Sequence, residues 1–530
     1  MAESPSSTAH QQDSERALTS SPAWVRWVLP SFRDLIFLSI FLSLTFGILA
    51  PRLFRDGGTG WHLRTGQIIL RSHAIPRIDP FSISTAGHSW YAWEWLADTA
   101  MGAAFDWAGL YGVSVLAALI IAFTFTLLFT TLRRRGTGLF LSVLLVLAAF
   151  SASTIHMFAR PHVASWLLML VWLHILESAR ETGNYRRLYW LPGLMVVWVN
   201  LHGGFLMGLA LLIIYWFEAT WLPQFVDVAD RQPWSRSLGL VLAATVFTTF
   251  LNPYGFRLHV HIYRYLTDSF LMNHIQEFQS TNFHGAAERC FLAMLVAAVF
   301  GLAVTRYRMA PREILILLFA IYTGLYASRN LPTSSILIAF LIGPLWSRVL
   351  RDRERDLLDS TLLGRVLDLD TRVGQTDSTL RHGAWIFVAI VITVWSASRG
   401  GSLGPLQMQG QFEASRFPVA AVDFLMSQGS PAPVFSTDQW GGYLVFRLYP
   451  AKVMVDDRHD LYGTPFFKRY LKIVRVQPGW NRELESMNVS SVLVPSDSSL
   501  AGALESAGGW QTVYQDDTAV LFKHAPLAQP

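Results

Sequence analysis

Asp56 and Glu94 are carboxylates set among apolar and aromatic residues. Cationic or amide side chains recur at matching places further along: His62 and Arg64, Arg160 and His162, Asn200 and His202, Asn252 and Arg257, Arg329 and Asn330. A positioned carboxylate can take a proton from a hydroxyl. A guanidinium offers a planar, permanently charged fork to phosphate oxygens. Ionisable groups at membrane depth are costly and seldom kept without a task. Acid and arginine together point to work on a phosphate-linked substrate.

Hydrophobic spans must position these groups. About eleven are read, near 34–50, 111–132, 137–156, 163–179, 187–201, 203–221, 237–251, 290–305, 313–328, 332–348 and 383–397. In lipid each must close its own backbone hydrogen bonds, so helices are the expected form. The polar groups above follow the first, third, fifth, seventh and ninth spans. The even-numbered exits are basic instead: Arg133 to Arg135; Arg180, Arg186 and Arg187; Arg231 and Arg236; Arg306, Arg308 and Arg312; Arg348, Arg351, Arg353 and Arg355. Basic exits face the cytoplasm. The N-terminus is therefore expected inside, and the polar chamber and C-terminal part outside.

Two outer segments are long, 51–110 and 252–289. The first ends in EWLADTAMGAAFDWAGLYG, which reads as an interfacial helix with Trp93, Trp95, Leu96 and Phe105 in the headgroup zone. In the second, Pro253 and Gly255 end a span, an amphipathic helix follows, and Glu277 is a candidate to orient an acceptor. Long ordered loops at one face usually cover a site. The inner stretch 349–382 is highly charged and reads as a solvated linker.

Composition agrees with this class. The 530 residues are 52% hydrophobic and 15% charged, against roughly 25% charged in a soluble domain. The net charge of +5 comes from arginines between spans and does not imply nucleic acid. A single cysteine, Cys290, excludes an internal disulfide and a cysteine metal cluster. The polar start lacks the basic-then-apolar layout of a cleaved signal, so 1–30 is expected as a disordered cytoplasmic tail.

A Gly-rich exit leads from 398 into alternating patterns. Strands are expected at APVFSTD, KVMVDD and VSSVLVPS, and helices at PVAAVDFLMSQ, TPFFKRYLKIV, GWNRELESM and SLAGALESAG. GYLVFRLY reads as either, and WQTVYQDDTAVLFKH as a hairpin turning at Asp516 and Asp517. The run Asp456-Asp457-Arg458-His459-Asp460 has the chemistry to hold a metal or sugar hydroxyls, but a solvated turn is the favoured reading. The expected fold is an α-helical polytopic membrane protein over 31–397, with a small extracytoplasmic α/β domain over 398–530.

DGGTGWHLRTGQIILRSHAIPRIDPFSIS and WYAWEWLAD in the first outer loop join ARPH, NLHGG, LNPYG and SRN at later outer ends, and WGGYLVFRLYP and DDRHDLYG near the C-terminus. Together they resemble a group of bacterial polytopic proteins placed with the GT-C superfamily of membrane glycosyltransferases. The resemblance covers nearly the whole chain. It implies an enzyme that takes a sugar from a polyprenyl-phosphate carrier at the outer face of the bacterial inner membrane, with an acid of the first outer loop as catalytic base. Asp56 occupies that place. Relatives often carry a second acid two residues on, where this chain has Gly58. That departure argues against a paired-acid metal site and leaves single-base catalysis. No cofactor is demanded, and a divalent cation stays an open option. The implied partners are a polyprenyl-phosphate-linked sugar and membrane lipid, with sugar and acceptor unspecified.

The candidate catalytic residues are then Asp56 and Glu94. The candidate substrate or phosphate contacts are His62, Arg64, Arg160, His162, His202, Glu277, Arg329 and Asn330. Each has an ordinary structural alternative. Asp56 can pair with Arg52 or Arg55, Glu94 with a neighbouring arginine, Arg160 can snorkel to the interface, and His202 can bridge helices beside Gly203 and Gly204. Two other functions stand beside the transferase. A transporter or flippase of lipid-linked sugars calls for polar groups near the midplane and internal repeats, and the sequence shows neither. A catalytically silent envelope scaffold is kept open by Gly58.

Overall fold

The computed structural model describes residues 24–228, 230–354, 361–380, 383–429 and 433–524. Most of the expected tail, through residue 23, and residues 355–360 of the inner linker lie outside them. The helices that matter here are α1 (Phe32–Thr45), α2 (Gly58–Ser72), α3 (Trp95–Arg134), α4 (Leu139–Ser153), α5 (His162–Thr182), α6 (Trp190–Leu201) and α7 (Phe205–Trp221). They are followed by α8 (Arg231–Thr248), α9 (Phe256–Thr267), α10 (Ala286–Val304), α11 (Pro311–Tyr326), α12 (Leu331–Glu354), α13 (Leu362–Thr379) and α14 (Ala384–Ser398).

Among the described residues six helical stretches are long and apolar enough to cross a bilayer, or seven if the bent pair α13–α14 is one span. The chain is a multi-pass membrane protein, but length and composition do not reproduce eleven crossings. Helices α6, α7 and α11 have 12, 17 and 16 residues, short of the ~20 that a full crossing takes.

Helix α3 breaks at Ala108 and Gly109, where Gly109 has φ 59°. The break separates the expected interfacial helix from the expected span. The part before the break is not free in the headgroups. Trp95 donates from Nε1 to Asn200 Oδ1 at 2.7 Å, and a Cβ on Gly66 would stand 1.8 Å from Asp98 O, so the α2 and α3 backbones touch. Helix α9 is amphipathic as expected, burying Leu258 and Ile262 and exposing Phe256 and Tyr263.

The basic exits converge at one end. Arg135 pairs with Glu313 at 3.1 Å, Arg180 with Glu177 at 2.9 Å and Arg312 with Glu218 at 3.0 Å, and Arg308 and Arg348 line the same cavity. The inner linker is not merely solvated. The Asp370 carboxylate accepts from Leu139 N at 3.1 Å and Phe140 N at 2.6 Å, and Asp377 accepts from Phe32 N at 2.7 Å. Helix starts leave N–H groups unpaired and favour negative charge, so the acids of α13 cap α4 and α1.

The C-terminal part adds α15 (Val419–Ser427), α16 (Asp438–Leu448) and α17 (His459–Val474). A short ribbon pairs β1 (Ser402–Leu403) with β2 (Leu406–Gln407). The main sheet contains β3 (Val434–Ser436), β4 (Ser491–Pro495), β5 (Trp510–Gln515) and β6 (Ala519–His524) in the order β3-β4-β6-β5. Strands β3 and β4 run parallel, and β5–β6 form the expected hairpin. GYLVFRLY belongs to α16. KVMVDD forms no full strand: Val453 alone bridges, to Val434 of β3 on one side and to the first outer loop on the other, where Val453 N donates to Phe81 O and Val453 O accepts from Ile83 N, both at 2.9 Å. The two parts share a core, since Phe412, Tyr443 and Leu444 cluster with Phe54, Trp61 and Trp90. Glycines bring them together. A Cβ on Gly60 would lie 2.1 Å from Gly442 O, and one on Gly442 would lie 2.2 Å from Gly57 O.

Candidate functional site

Asp56 stands just before α2, where its Oδ1 accepts from Gly58 N at 2.8 Å. Arg160 closes the turn before α5 and places Nη1 3.0 Å from Asp56 Oδ2. The pair sits at the edge of a polar cavity of about 120 Å³ lined by Glu94, His156, Arg160, His162, His202, Glu277, Arg329 and Asn330. Groups expected after the first, third, fifth and ninth spans, and Glu277 of the second long loop, therefore meet at one place. Arg160 and Pro161 also line an apolar groove with Met101, Leu116, Ile120, Val163 and Leu201. Arg160 thus borders both a polar chamber and an apolar slot.

On another wall Arg329 Nη1 lies 3.1 Å from Glu277 Oε1 and its guanidinium rests 4.6 Å over the Phe278 ring. Burial alone would raise the Glu277 carboxyl, but Arg329 and Arg160 outweigh it and hold it at about 2. Glu277 is ionised and keeps Arg329 oriented.

Glu94 lies between two histidines, 3.5 Å from His202 Nε2 and 3.6 Å from His62 Nε2. Gly204 N donates to His202 Nδ1 at 2.9 Å, which leaves the proton on Nε2, toward Glu94. His62 Nδ1 is 2.6 Å from Asp98 Oδ1. His62 Nε2 faces Glu94 from the flank opposite His202. A neutral carboxylic acid, with one donor and acceptor capacity, suits that position. Burial pushes Glu94 up to about 7 against the pull of Arg160 and Arg329. Burial, with Arg329 and Arg160, lowers His202 to about 3, so this ring stays neutral.

Not every expected contact reaches the chamber. His62 is fully buried behind Glu94. Arg64 turns away: its guanidinium donates to Phe446 O and Gln67 Oε1. Its expected phosphate contact is corrected to a clamp between α2 and α16. The reason is helical spacing. Arg64 lies four residues after Gly60, on the face that meets Gly442. His162 lines the cavity and donates from Nε2 to His156 O at 2.7 Å. Asn330 lines it while donating from Nδ2 to Thr323 O at 3.1 Å.

The Asp456–Asp460 run is the main departure from the sequence reading. It is not a solvated turn, because each side chain grips a different element. Arg458 reaches Asp79 at 2.8 Å and Asp456 at 2.6 Å, His459 reaches Asp438 at 2.9 Å, and Asp460 reaches His261 at 2.9 Å. Asp457 points into the site: Trp61 Nε1 donates to its Oδ1 at 2.9 Å, and its Oδ2 is 3.7 Å from Arg160 Nη1. Burial pushes the Asp457 carboxyl up to about 7, against Arg160 and with help from Asp56 and Asp456. His156 also lines the cavity; as the last residue of the expected 137–156 span it carries no motif of its own. The Asp56 and Asp457 carboxylates both address Arg160, and among the described residues no group of three or more His, Cys, Asp or Glu side chains is arranged to hold a metal ion.

No sequence-family description matches the chain, and no curated protein matches it by sequence. Its fold does match solved structures. The Archaeoglobus fulgidus oligosaccharyltransferase in the apo form aligns with TM-score 0.56 and 11% identity over 94% of this chain and 74% of that one. The oligosaccharyltransferase AglB of the same organism, in complex with an inhibitory peptide and a dolichol-phosphate, aligns with TM-score 0.56 and 12% identity over the same 94% and 74%. ArnT from Cupriavidus metallidurans, bound to undecaprenyl phosphate, aligns with TM-score 0.48 and 14% identity over 94% of this chain and 99% of that one. The first two establish that the chain shares the fold of the oligosaccharyltransferase.

Proposed function

We propose that this protein is a membrane glycosyltransferase that moves a sugar from a polyprenyl-phosphate carrier to an acceptor hydroxyl at the outer face of the bacterial inner membrane. One observation carries the reading: Arg160 lies where the apolar groove meets the polar chamber, 3.0 Å from the Asp56 carboxylate. A lipid-linked phosphate has the same division, an apolar tail and a charged head. The tail would follow Met101 and Ile120, and the phosphate would settle between Arg160 and Arg329. The AglB complex with a dolichol-phosphate is consistent with such a ligand on this fold. The basic end formed by Arg135, Arg180, Arg308, Arg312 and Arg348 would face the cytoplasm, placing the chamber and the segment from 398 onward outside.

The chemistry needs a base and cations. A phosphate that takes over the Arg160 guanidinium releases Asp56 from its ion pair. The freed carboxylate accepts the proton of the acceptor hydroxyl as that oxygen bonds to the anomeric carbon. The bond from the anomeric carbon to the carrier oxygen breaks, and the phosphate leaves as an anion held by Arg160 and Arg329. Glu94, raised to about 7, keeps a protonated fraction near neutral pH that can donate a hydrogen bond to a sugar or phosphate oxygen from the opposite wall.

The test uses the full chain in lipid nanodiscs, with labelled polyprenyl-phosphate sugars and an envelope extract as the source of acceptor. Wild type should release the carrier phosphate. Asp56→Asn should lower the rate about a hundredfold or more, with an unchanged melting temperature. A full rate in the Asn variant removes Asp56 as the base. A wild type that consumes none of the donors removes the transferase reading and favours the scaffold.

A further inference from the structure

Gly58 marks an unusual vacancy. Its backbone is helical at the first turn of α2 and would accept an L side chain, so the absence of a Cβ has another cause. A Cβ built there would stand 2.4 Å from Asp457 Oδ2, 2.9 Å from Asp56 Oδ1 and 3.2 Å from Arg160 Cζ. The space that a side chain at position 58 would fill is already occupied by a carboxylate from a residue about four hundred positions later. The neighbouring glycines explain how it arrives. Gly57, Gly60 and Gly442 let α16 lie directly on the start of α2, with a Cβ on Gly57 only 2.3 Å from Gln439 O. Trp61, one helical turn along from Gly58, then holds Asp457 Oδ1 through its indole N–H. Arg458 and Asp456 fix the flanking backbone, each almost fully buried.

We propose that Asp457 is the second acid of this centre, delivered by the C-terminal part into the room left by Gly58, so that the centre is complete only when that part is docked. The inference rests on the transferase reading for its functional consequence, but its spatial claim is independent of it. Asp457 is a positioning residue. Its Oδ2 and Asp56 Oδ2 address the same Arg160 nitrogen, 3.7 Å and 3.0 Å away, and hold the guanidinium at the junction of groove and chamber. The sequence conceals this because the two acids are not neighbours in the chain. The room at position 58 and the carboxylate of Asp457 are one arrangement.

Moving the carboxylate tests it. Four full-length proteins are compared in nanodiscs: wild type, Asp457→Ala, Gly58→Asp, and the double variant Gly58→Asp/Asp457→Ala. Donor turnover and melting temperature are read for each. Asp457→Ala should lower kcat/KM for the donor about ten- to a hundredfold, as a displaced charged group does. Gly58→Asp should be impaired and destabilised, because two carboxylates then compete for one space. The double variant should recover turnover to within about threefold of wild type and lose that destabilisation, a non-additivity expected only of groups in contact. A merely structural role for the 456–460 turn would not be rescued by an acid on a different helix. Full turnover in Asp457→Ala would overturn the proposal, and so would a double variant that melts like wild type yet stays as slow as Asp457→Ala. If wild type turns over no donor, the transferase reading falls, and the melting temperatures alone decide the placement: additive losses contradict it.

Discussion

Glu94 Oε1 and His202 Nε2 face each other at 3.5 Å, and the histidine's proton is fixed on that nitrogen by the Gly204 N–H bonded to its other side. The carboxyl thus has an imidazole N–H on one flank and the fully buried His62 ring on the other. That is the environment of a neutral acid, and it has a measurable pH signature.

In the unfolded chain this carboxyl ionises near 4.5, and in the fold burial moves it to about 7. Between those values the folded protein keeps a proton that the unfolded one has lost. The associated stability is complete below the lower value and disappears as pH rises to the upper one. Glu94→Gln removes the titration. Its melting temperature relative to wild type should therefore rise across that window, by the equivalent of at most about 3 kcal/mol. A pH-independent difference would show that Glu94 is already ionised in the fold.

Arg329 should carry phosphate. Arg329→Ala should weaken binding of undecaprenyl phosphate about ten- to a hundredfold, the scale of a charge-assisted hydrogen bond. Removing Arg329 strands Glu277, so Arg329→Ala/Glu277→Gln serves as the partner variant. It should fold like wild type and still bind weakly. Titration of nanodisc-embedded protein with the lipid reads both.

At the opposite end Arg312 and Glu218 are 5% and 1% exposed and Glu177 lies 3.6 Å from Arg312 Nε. Arg312→Met leaves buried acids uncompensated and should cost about 3–5 kcal/mol. Thermal unfolding should show a clear drop in melting temperature, with lipid binding per folded molecule unchanged.

The docking of the C-terminal part depends on Arg458, which joins Asp79 of the first outer loop to Asp456. Arg458→Met should expose the 398–410 exit to protease and release a C-terminal fragment under conditions that leave wild type intact. Equal resistance in the two proteins would show that the glycine contacts of α2 and α16 suffice.

The helical class and the meeting of Asp56, Glu94, Arg160, His202 and Arg329 were legible because membrane crossing converts sequence alternation into spatial grouping. The polar exits do gather at one place, although six or seven stretches rather than eleven are long and apolar enough to cross. What stayed hidden depended on contacts across long sequence separations. Arg64 is chemically identical to Arg160, and only the packing of Gly60 on Gly442 turns it away from the chamber. The acids of α13 read as solvated charge because nothing local reveals that Asp370 and Asp377 end beneath other helices. Asp457 read as part of a polar turn because its burial is created by the first outer loop, about four hundred residues away. KVMVDD carried a strand pattern, and its backbone did pair, through Val453, with both Ser82 of that loop and Val434 of β3.

A structure of the full chain in nanodiscs with undecaprenyl phosphate tests the central claim most directly. The account predicts phosphate density within hydrogen-bond reach of both Arg160 and Arg329, isoprenoid density along Met101, Leu116 and Ile120, and an Asp56 carboxylate no longer paired with Arg160. Phosphate bound instead among Arg135, Arg308 and Arg348, with the Asp56–Arg160 pair intact and the groove empty, would contradict it.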